Sequence, residues 1–306
     1  MSSSLPKRKA LLGIFFLLVI SGMLVYFFKF EAVLWHVFQP HEVSSQNKTA
    51  PFALHHYKVE LEGVRILDVG EDISGLTYNE ATNTLFTVSN SEPWLIELSL
   101  DGRVLRKVWI DGVKDMEGIS HVKDNLYIVV NERDQKLILV NLEDGVDRFD
   151  ARHAPQLTLS IDAAGNKGFE GASWDSRNNR LLIVKERNPK RVLAIHGLIN
   201  SPTGNAMNLH VENLNHIQPA MKQMRDLSSI SYHDASGHMF LLSDESRMIT
   251  ELDSSGKLVG TLALWRGFHG LKRNVPQAEG IAIGPDKRIY IVSEPNLFYV
   301  FKPDLI

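Results

Sequence analysis

The sequence predicts an all-β protein, a five-bladed β-propeller preceded by one N-terminal transmembrane helix. Two observations support this prediction. Residues 10–28 form an apolar stretch without a charged side chain, and residues 71–301 repeat a strand–turn–strand pattern five times. A chain of 306 residues is long enough for one large β domain or two ordinary ones.

The composition excludes several classes of protein. The formal net charge is −3, whereas a nucleic-acid binder needs clustered Lys and Arg that release counterions from phosphate, so we expect no nucleic-acid partner. The chain contains no cysteine. It therefore has no disulfide framework, thiolate nucleophile, Cys-ligated zinc or lipid-modified cysteine.

The N-terminal apolar stretch has the length of a membrane span. A helix needs about 20 residues to cross about 30 Å of hydrocarbon, and a lone span must be helical because lipid offers the backbone no hydrogen-bond partner. Lys7, Arg8 and Lys9 precede the stretch while only Lys29 closely follows it, which places the N-terminus in the cytoplasm. A cleaved signal peptide is the alternative, but no clear small-x-small cleavage site follows the stretch.

These features divide the chain into four parts. We expect a cytoplasmic basic tail at residues 1–9, a transmembrane signal anchor at 10–28, a juxtamembrane spacer at 29–54 and the β-propeller domain at 55–306. The spacer starts amphipathic and ends in a polar segment typical of disordered linkers.

Each of the five repeats begins with a small residue and continues through a polar turn into an apolar, β-rich run. The small residues are Gly75, Gly118, Gly171, Ser229 and Gly280. They lie about 40–60 residues apart, which suits the four-stranded blade of a propeller. The apolar run is the second strand of each blade, and a third strand follows it in every repeat. A β-sandwich is disfavoured because nothing in that fold requires the same unit five times.

The fifth repeat ends one strand short, near residue 301. A strand-like run at residues 57–67 precedes the first repeat, and we expect it to supply the missing outer strand so that no open sheet edge remains. A six-bladed ring is the alternative. Its extra blade would have to lie in residues 188–224, which we interpret instead as two outer strands joined by a loop at 201–204.

Polar residues recur where the strands of each blade meet one mouth of the central channel. The first strand of a blade begins at this mouth and the antiparallel second strand ends there, so residues from distant repeats converge. The residues just before the small position are Ser74, Glu117, Glu170, Ser228 and Glu279. Two positions earlier, on the same face of the strand, are Asp72, Asp115, Gly168, Asp226 and Gln277. The residues at the end of the second strand are Asn90, Asn131, Glu186, Asp244 and Glu294.

These columns predict a calcium site at the channel mouth. Six carboxylates gathered near one axis cannot all stay ionised unless a cation or base joins them. Oxygen ligands without His or Cys favour a hard divalent ion, and Ca²⁺ accepts irregular coordination where Mg²⁺ requires an octahedron. The predicted metal ligands are Glu117, Glu170, Glu279, Asn131, Glu186, Asp244, Glu294 and Asn90. The alternative is a solvated acidic rim that is partly neutralised by Arg133, Arg187 and Arg247.

The Glu-Gly pairs at 117–118, 170–171 and 279–280, together with the five repeats and the N-terminal anchor, resemble the SdiA-regulated family of bacterial proteins. The resemblance covers essentially the whole chain beyond residue 55, and the family is distantly similar to NHL-repeat propellers. It implies a five-bladed propeller with a bound calcium ion and no established activity. It also implies a cell inner membrane protein with the propeller in the periplasm. Ser74 and Ser228 depart from the Glu-Gly pattern, so the resemblance carries the ligand role only to Glu117, Glu170 and Glu279.

Two functions follow as hypotheses. The first is a binding or recognition module that presents one propeller face to a small molecule or an envelope protein. The second is a Ca²⁺-dependent hydrolase or lyase in which the ion polarises a substrate oxygen. No catalytic residue is assigned, and His269 is the nearest candidate for proton transfer. His269 lies in the aromatic, basic segment 264–273 at the acidic mouth, which is interpreted either as a substrate lid or as an ordinary inter-blade loop.

Overall fold

The computed structural model describes residues 5–27, 29–38, 52–159, 161, 168–199 and 208–304. Two helices come first, α1 (Leu5–Phe27) and α2 (Phe30–Phe38). The part of α1 from Lys9 to Phe27 has a mean hydropathy of 2.5 and is not buried at all. This helix is therefore long and apolar enough to cross a membrane, as either an anchor or a signal sequence is.

The strands form five sheets, which are the blades of the propeller. Strand β1 (Tyr57–Arg65) comes first along the chain and belongs to the last blade. From the channel outward, blade one contains β2 (Ile73–Asn79), β3 (Thr84–Ser89), β4 (Trp94–Leu98) and β5 (Val104–Asp111). Blade two contains β6 (Met116–Lys123), β7 (Leu126–Asn131), β8 (Lys136–Asn141) and, after β9 (Arg148–Asp150), the outer strand β10 (Gln156–Thr158).

The other three blades follow the same plan. Blade three contains β11 (Phe169–Asp175), β12 (Arg180–Lys185), β13 (Arg191–His196) and β14 (His210–Asn213). After the one-turn helix α3 (Gln218–Met221), blade four contains β15 (Ser229–His233), β16 (His238–Ser243), β17 (Met248–Leu252) and β18 (Leu258–Ala263). Blade five contains β19 (Ala278–Ile283), β20 (Ile289–Ser293), β21 (Leu297–Pro303) and β1.

The prediction of five blades is confirmed, and the six-bladed alternative is wrong. The described part of residues 188–224 contains β13 and β14 of one blade, while the loop at 201–204 lies outside the described residues. Closure by the N-terminal strand is also confirmed. Strand β1 pairs antiparallel with β21, from Tyr57 opposite Pro303 to Arg65 opposite Leu297. The last sheet therefore has its outer strand supplied by the start of the domain.

The small residue at the start of each repeat lets neighbouring inner strands approach backbone to backbone. A Cβ atom on Gly118 would lie 2.4 Å from the carbonyl oxygen of Glu170, and one on Gly171 would lie 2.7 Å from Cα of Ser229. A Cβ atom on Gly280 would lie 2.6 Å from the carbonyl carbon of Gly75. Contacts this short leave no room for a side chain. The last contact joins blade five to blade one, so the ring closes at its centre as well as at its rim.

The apolar core is divided among the five interfaces between neighbouring blades. Between blades one and two, for example, the buried rings of Phe86 and Tyr127 lie 4.7 Å apart. The interface between blades four and five includes Phe52 and Leu54, which are 4% and 1% exposed although both fall in the predicted spacer. The packing of the propeller therefore begins before residue 55.

Blade one differs from the expected plan because it has a fifth strand. Strand β9 leaves blade two and pairs parallel with β5, with Arg148 opposite Trp109 and Asp150 opposite Asp111. The Arg148 guanidinium donates to the Asp111 carboxylate and holds the added strand in place. The outer edge of β5 is thus covered by backbone from the next repeat.

Candidate metal centre

A cavity of about 340 Å³ lies at the mouth of the channel where the inner strands begin. Seven of the eight predicted ligands line it, and these are Asn90, Glu117, Glu170, Glu186, Asp244, Glu279 and Glu294. Glu132, Asp226 and Glu245 add further carboxylates to the wall, while Lys29 and Arg187 contribute positive charge. The propeller geometry therefore brings together residues from all five sequence repeats and the N-terminal segment.

One backbone hydrogen bond explains why the two columns converge. At the end of the second strand, an N–H group donates to the carbonyl oxygen of a residue at the start of the inner strand. This bond links Asn90 to Asp72 (3.0 Å), Glu186 to Gly168 (3.4 Å) and Glu294 to Gln277 (2.8 Å). In blade two the donor is Glu132, which bonds to Asp115 at 3.1 Å. The second column thus contains Glu132, not Asn131.

Asn131 lies one position before the column, and it is the one predicted ligand that is not among the residues lining the cavity. It pairs with Met116 across the sheet, as Ser89 pairs with Ile73 in blade one. Since side chains alternate between the faces of a strand, the shift of one residue turns Asn131 away from the cavity. Its amide donates to the Lys114 carbonyl at 2.7 Å and its oxygen accepts from the Asp134 N–H at 2.8 Å. Asn131 therefore stabilises the loop ends of its blade.

The closest set of possible ligands lies in blade two. Asp115, Glu117 and Glu132 each offer a carboxylate oxygen, and these atoms lie within 4.8 Å of one another. Asp115 also forms an ion pair with Arg133 at 3.3 Å, and one oxygen of Glu132 accepts from the N–H of Gly168 at 2.8 Å. Glu132 is not among the candidate ligands predicted from the sequence columns. The position equivalent to Asn90 and Glu186 is found by aligning the blades on their strand pairing, and in blade two this position is Glu132. Aligning the blades on the last apolar residue of the second strand does not find it.

Burial and mutual repulsion raise the pKa values of most carboxyl groups at the mouth. Burial raises the pKa of Glu117 to about 8, and the charges of Glu132, Asp115 and Glu294 act in the same direction. The pKa values of Glu170 and Glu279 are raised well above the usual range, first by burial and then by the neighbouring carboxylates. Burial also raises the pKa values of four other acids at the mouth, which are Glu132, Asp226, Asp244 and Glu294. The pKa of Glu245 is lowered instead, because its hydrogen bond to Arg187 and the charge of Arg187 outweigh burial. A bound cation would reverse this repulsion.

Ser74 and Ser228 occupy the positions at which the other blades carry Glu. Their hydroxyl groups donate to carbonyl oxygens of the following blade, from Ser74 to Glu117 at 2.8 Å and from Ser228 to Ala278 at 2.7 Å. Blades one and four therefore use this position to join inner strands. The inner carboxylates come from blades two, three and five.

The sequence profile of the SdiA-regulated family matches residues 49–302, which is most of the chain. The chain belongs to the SdiA-regulated family. The resemblance seen in the Glu-Gly repeats is thus confirmed at the level of the family.

Three solved structures are similar to this SdiA-regulated protein at low sequence identity. A chain of a nidogen/laminin complex is 11% identical with a TM-score of 0.46, covering 72% of this chain and 72% of that chain. Streptogramin B lyase is 9% identical with a TM-score of 0.47, covering 81% and 98%. The β-propeller domain of Myceliophteria thermophila Cps50 (Swd1) is 11% identical with a TM-score of 0.41, covering 78% and 65%. Likenesses this distant carry no argument about function.

The basic residues near the mouth of this SdiA-regulated propeller have separate roles. Arg187 lines the cavity and donates to both Glu186 and Glu245, the latter at 2.7 Å. Arg133 pairs with Asp115 outside the cavity lining, and Arg247 lies 4.9 Å from the ring centre of Trp265. Of the three arginines predicted to neutralise the rim, only Arg187 therefore lines the cavity.

The segment 264–273 begins at the acidic mouth but turns away from it. Trp265 donates to the carbonyl of Ser246 in the hairpin beside the mouth, whereas His269 bonds to the carbonyl of Tyr57 at 2.9 Å. His269 lines a different cavity, together with His36 and His55. The segment is held between β1 and α2, so it acts as a platform for these elements and His269 does not reach the carboxylates.

Proposed function

We propose that this protein is a membrane-anchored binding module whose propeller lies in the periplasm at the cell inner membrane and holds a calcium ion at its acidic mouth. The observation that carries the proposal is the convergence of Glu117, Glu170 and Glu279 on one cavity, each with a raised pKa. The basic tail before α1 and its uncharged apolar length support the anchor and its orientation.

The donor set fits Ca²⁺. Apart from Lys29 and Arg187, the charged groups that line the cavity are carboxylates, and Asn90, Ser228 and Gln277 add neutral oxygens. Hard oxygen donors of this number favour Ca²⁺, which takes 6–8 ligands, over Mg²⁺ and over the metals that prefer nitrogen or sulfur. A solvated rim would leave the pKa values of its acids near their usual range, so the raised pKa of Glu117 favours a cation site over a rim.

A binding role fits the site better than a hydrolase or lyase. His269, the residue considered for proton transfer, lies in another cavity. Glu132 and Asp244 are each held by a backbone N–H group of the following blade, at 2.8 Å from Gly168 and 3.3 Å from Ala278. An ion coordinated by such groups would tie blades together and stabilise the mouth as a recognition surface. Its partner would be a small molecule or an envelope protein.

Calorimetry of the full chain in detergent tests the calcium site. After chelation, Ca²⁺ should release or absorb heat on titration and Mg²⁺ should bind more weakly, and Glu170→Gln should reduce the affinity at least tenfold because it removes one ligand charge. Glu143→Gln is the matched control. Glu143 is exposed and follows β8, which ends at the side of blade two away from the mouth. Absence of calcium binding, or equal affinity of Glu170→Gln and the wild type, would refute the site.

A further inference from the structure

Helix α2 is fixed to the side of blade four. The chain turns between the two helices at Lys29, whose φ of 62° is left-handed. Glu31 then forms an ion pair with Arg225, and the buried ring of His36 bonds through Nδ1 to Thr261 Oγ1 at 2.6 Å. Arg225 also donates to the carbonyl oxygen of Tyr26 at the end of α1. The propeller is therefore held directly against the end of the proposed membrane span.

The opposite face of α2 is apolar and exposed. Phe30, Leu34, Val37 and Phe38 follow the spacing of one helix face and are 46%, 46%, 52% and 79% exposed. Ala32 and His36 on the propeller side are buried, with 2% and 6% exposed. A contiguous patch of large apolar side chains on a water-facing helix indicates a binding surface. This patch continues the exposed apolar surface of α1, which ends at Phe27.

We propose that α2 lies in the membrane interface with this apolar face in lipid, and that it holds the propeller with its acidic mouth toward the bilayer. The proposal rests on the proposed anchor and adds the orientation of the domain. A lipid surface is the occupant indicated by continuity, because only two residues separate α2 from the end of α1. Helices with one apolar face beside a span lie in this way in the interface.

Lys29 provides the second, independent link between the mouth and the membrane. It follows the apolar span directly, and it lines the acidic cavity with Glu117 and Asp244. Its charge lowers the pKa of Asp244, against the larger effect of burial. A residue that leaves the bilayer and enters the cavity wall can do so only if the mouth lies close to the membrane surface. The opposite mouth, at the far end of the inner strands, then faces away from the membrane.

Single-cysteine labelling tests the orientation, since the chain has no cysteine of its own. Asp134→Cys labels the turn between β7 and β8 at the acidic end of blade two, and Lys123→Cys labels the end of β6 at the opposite end of the same blade. The two sites are about 20 Å apart along the strands. In full-length protein reconstituted in phospholipid nanodiscs, energy transfer to headgroup acceptors should be clearly greater from Asp134→Cys. Equal transfer, or greater transfer from Lys123→Cys, overturns the proposal.

A probe on α2 tests lipid contact separately. A fluorophore on Leu34→Cys should report an apolar environment and be quenched by nitroxide-labelled lipid, whereas one on Glu143→Cys should do neither. A Leu34→Cys probe that remains in water in pure lipid, and becomes apolar only when an envelope extract is added, shows that a protein covers this face and overturns the proposal. Alkaline extraction separates the two proposals. If it releases the protein from the membrane, the proposed anchor is rejected together with the orientation. If the protein stays in the membrane but Leu34→Cys shows no lipid contact, only the orientation is rejected.

We call the two contacts that hold α2 to blade four, Glu31–Arg225 and His36–Thr261, the clamp, and loss of the clamp should release the orientation. Arg225→Gln removes the ion pair to Glu31, and Thr261→Val removes the hydrogen bond to His36 without introducing a charge. Either change should reduce the difference in energy transfer between the two labelled ends while the protein stays in the membrane. Arg103→Gln is the control, because Arg103 forms an exposed ion pair with Asp101 in blade one, away from α2. If Arg225→Gln fails to fold, an unchanged difference in Thr261→Val still counts against the clamp.

Discussion

Glu117→Gln should change how the stability of the metal-free protein depends on pH. Glu117 is 8% exposed, and burial followed by the charges of Glu132 and Asp115 raises its pKa to about 8 from an ordinary value of 4.5. Between these two values the folded protein binds more protons than the unfolded chain. The free energy of unfolding therefore falls as the pH rises through this interval, and it stops falling above the folded-state pKa.

The size of the effect follows from the proton difference. Each unit of pH over which one extra proton is held by the folded state costs about 1.4 kcal/mol of stability. Between about pH 6.5 and pH 8 the unfolded Glu is ionised and Glu117 still holds most of a proton, so the loss is about 1.5–2 kcal/mol. Buried His233, whose pKa is lowered to about 4 by burial, has the opposite sign, and most of its contribution lies below pH 6.5. Gln cannot ionise, so the variant lacks the loss at Glu117.

Calcium should reverse the trend. Ca²⁺ requires ionised carboxylates, so its binding displaces the retained protons and becomes more favourable as the pH rises. An ion present at about 100 times its Kd adds about 2.7 kcal/mol to the free energy of unfolding. In the wild type, the difference between the calcium-loaded and chelated proteins should thus grow from about pH 6.5 to pH 8.

Urea unfolding of the full chain in detergent, followed by tryptophan fluorescence at several pH values, measures these differences. The chain carries five tryptophans. The comparison of wild type with Glu117→Gln at each pH removes the contribution of the histidines, and Glu143→Gln should behave as the wild type because Glu143 is exposed. Parallel curves for wild type and Glu117→Gln in chelator would show that the cluster does not hold protons, and the electrostatic basis of the metal site would be lost.

Other predictions concern the ring and the alternative function. Gly118→Ala should lower the free energy of unfolding by about 2–3 kcal/mol, because its Cβ would lie 2.4 Å from a main-chain oxygen of blade three, whereas Gly260→Ala, with no contact under 3.7 Å, should cost much less in the same denaturation assay. Deleting residues 1–67 should expose the edge of blade five and cause aggregation by light scattering, while deleting residues 1–50 should leave a folded domain. Equal solubility would contradict the closure. His269→Gln should leave calcium affinity unchanged in calorimetry, since this residue lies in another cavity, and a marked loss would return it to the site.

The repeat pattern was sufficient for much of the site because propeller blades are equivalent. Glu117, Glu170 and Glu279 each precede a small residue that can be read directly in the sequence, and all three line the cavity. The end of the second strand does not follow from the apolar residues alone, because a β-strand can continue past its last apolar residue. In blade two this led to Asn131 in place of Glu132, an error of one residue that reverses the face.

The sequence by itself determined the number of blades, the closing strand, the inner carboxylates and the apolar helix. All of these are periodic or local properties, recorded in the spacing of small, apolar and charged residues. Only the tertiary structure decided that β9 crosses to blade one, that His269 faces another cavity, and that Lys29 enters the acidic mouth. Such contacts join residues far apart in sequence, and their energy depends on how whole blades and helices pack, which no local pattern contains.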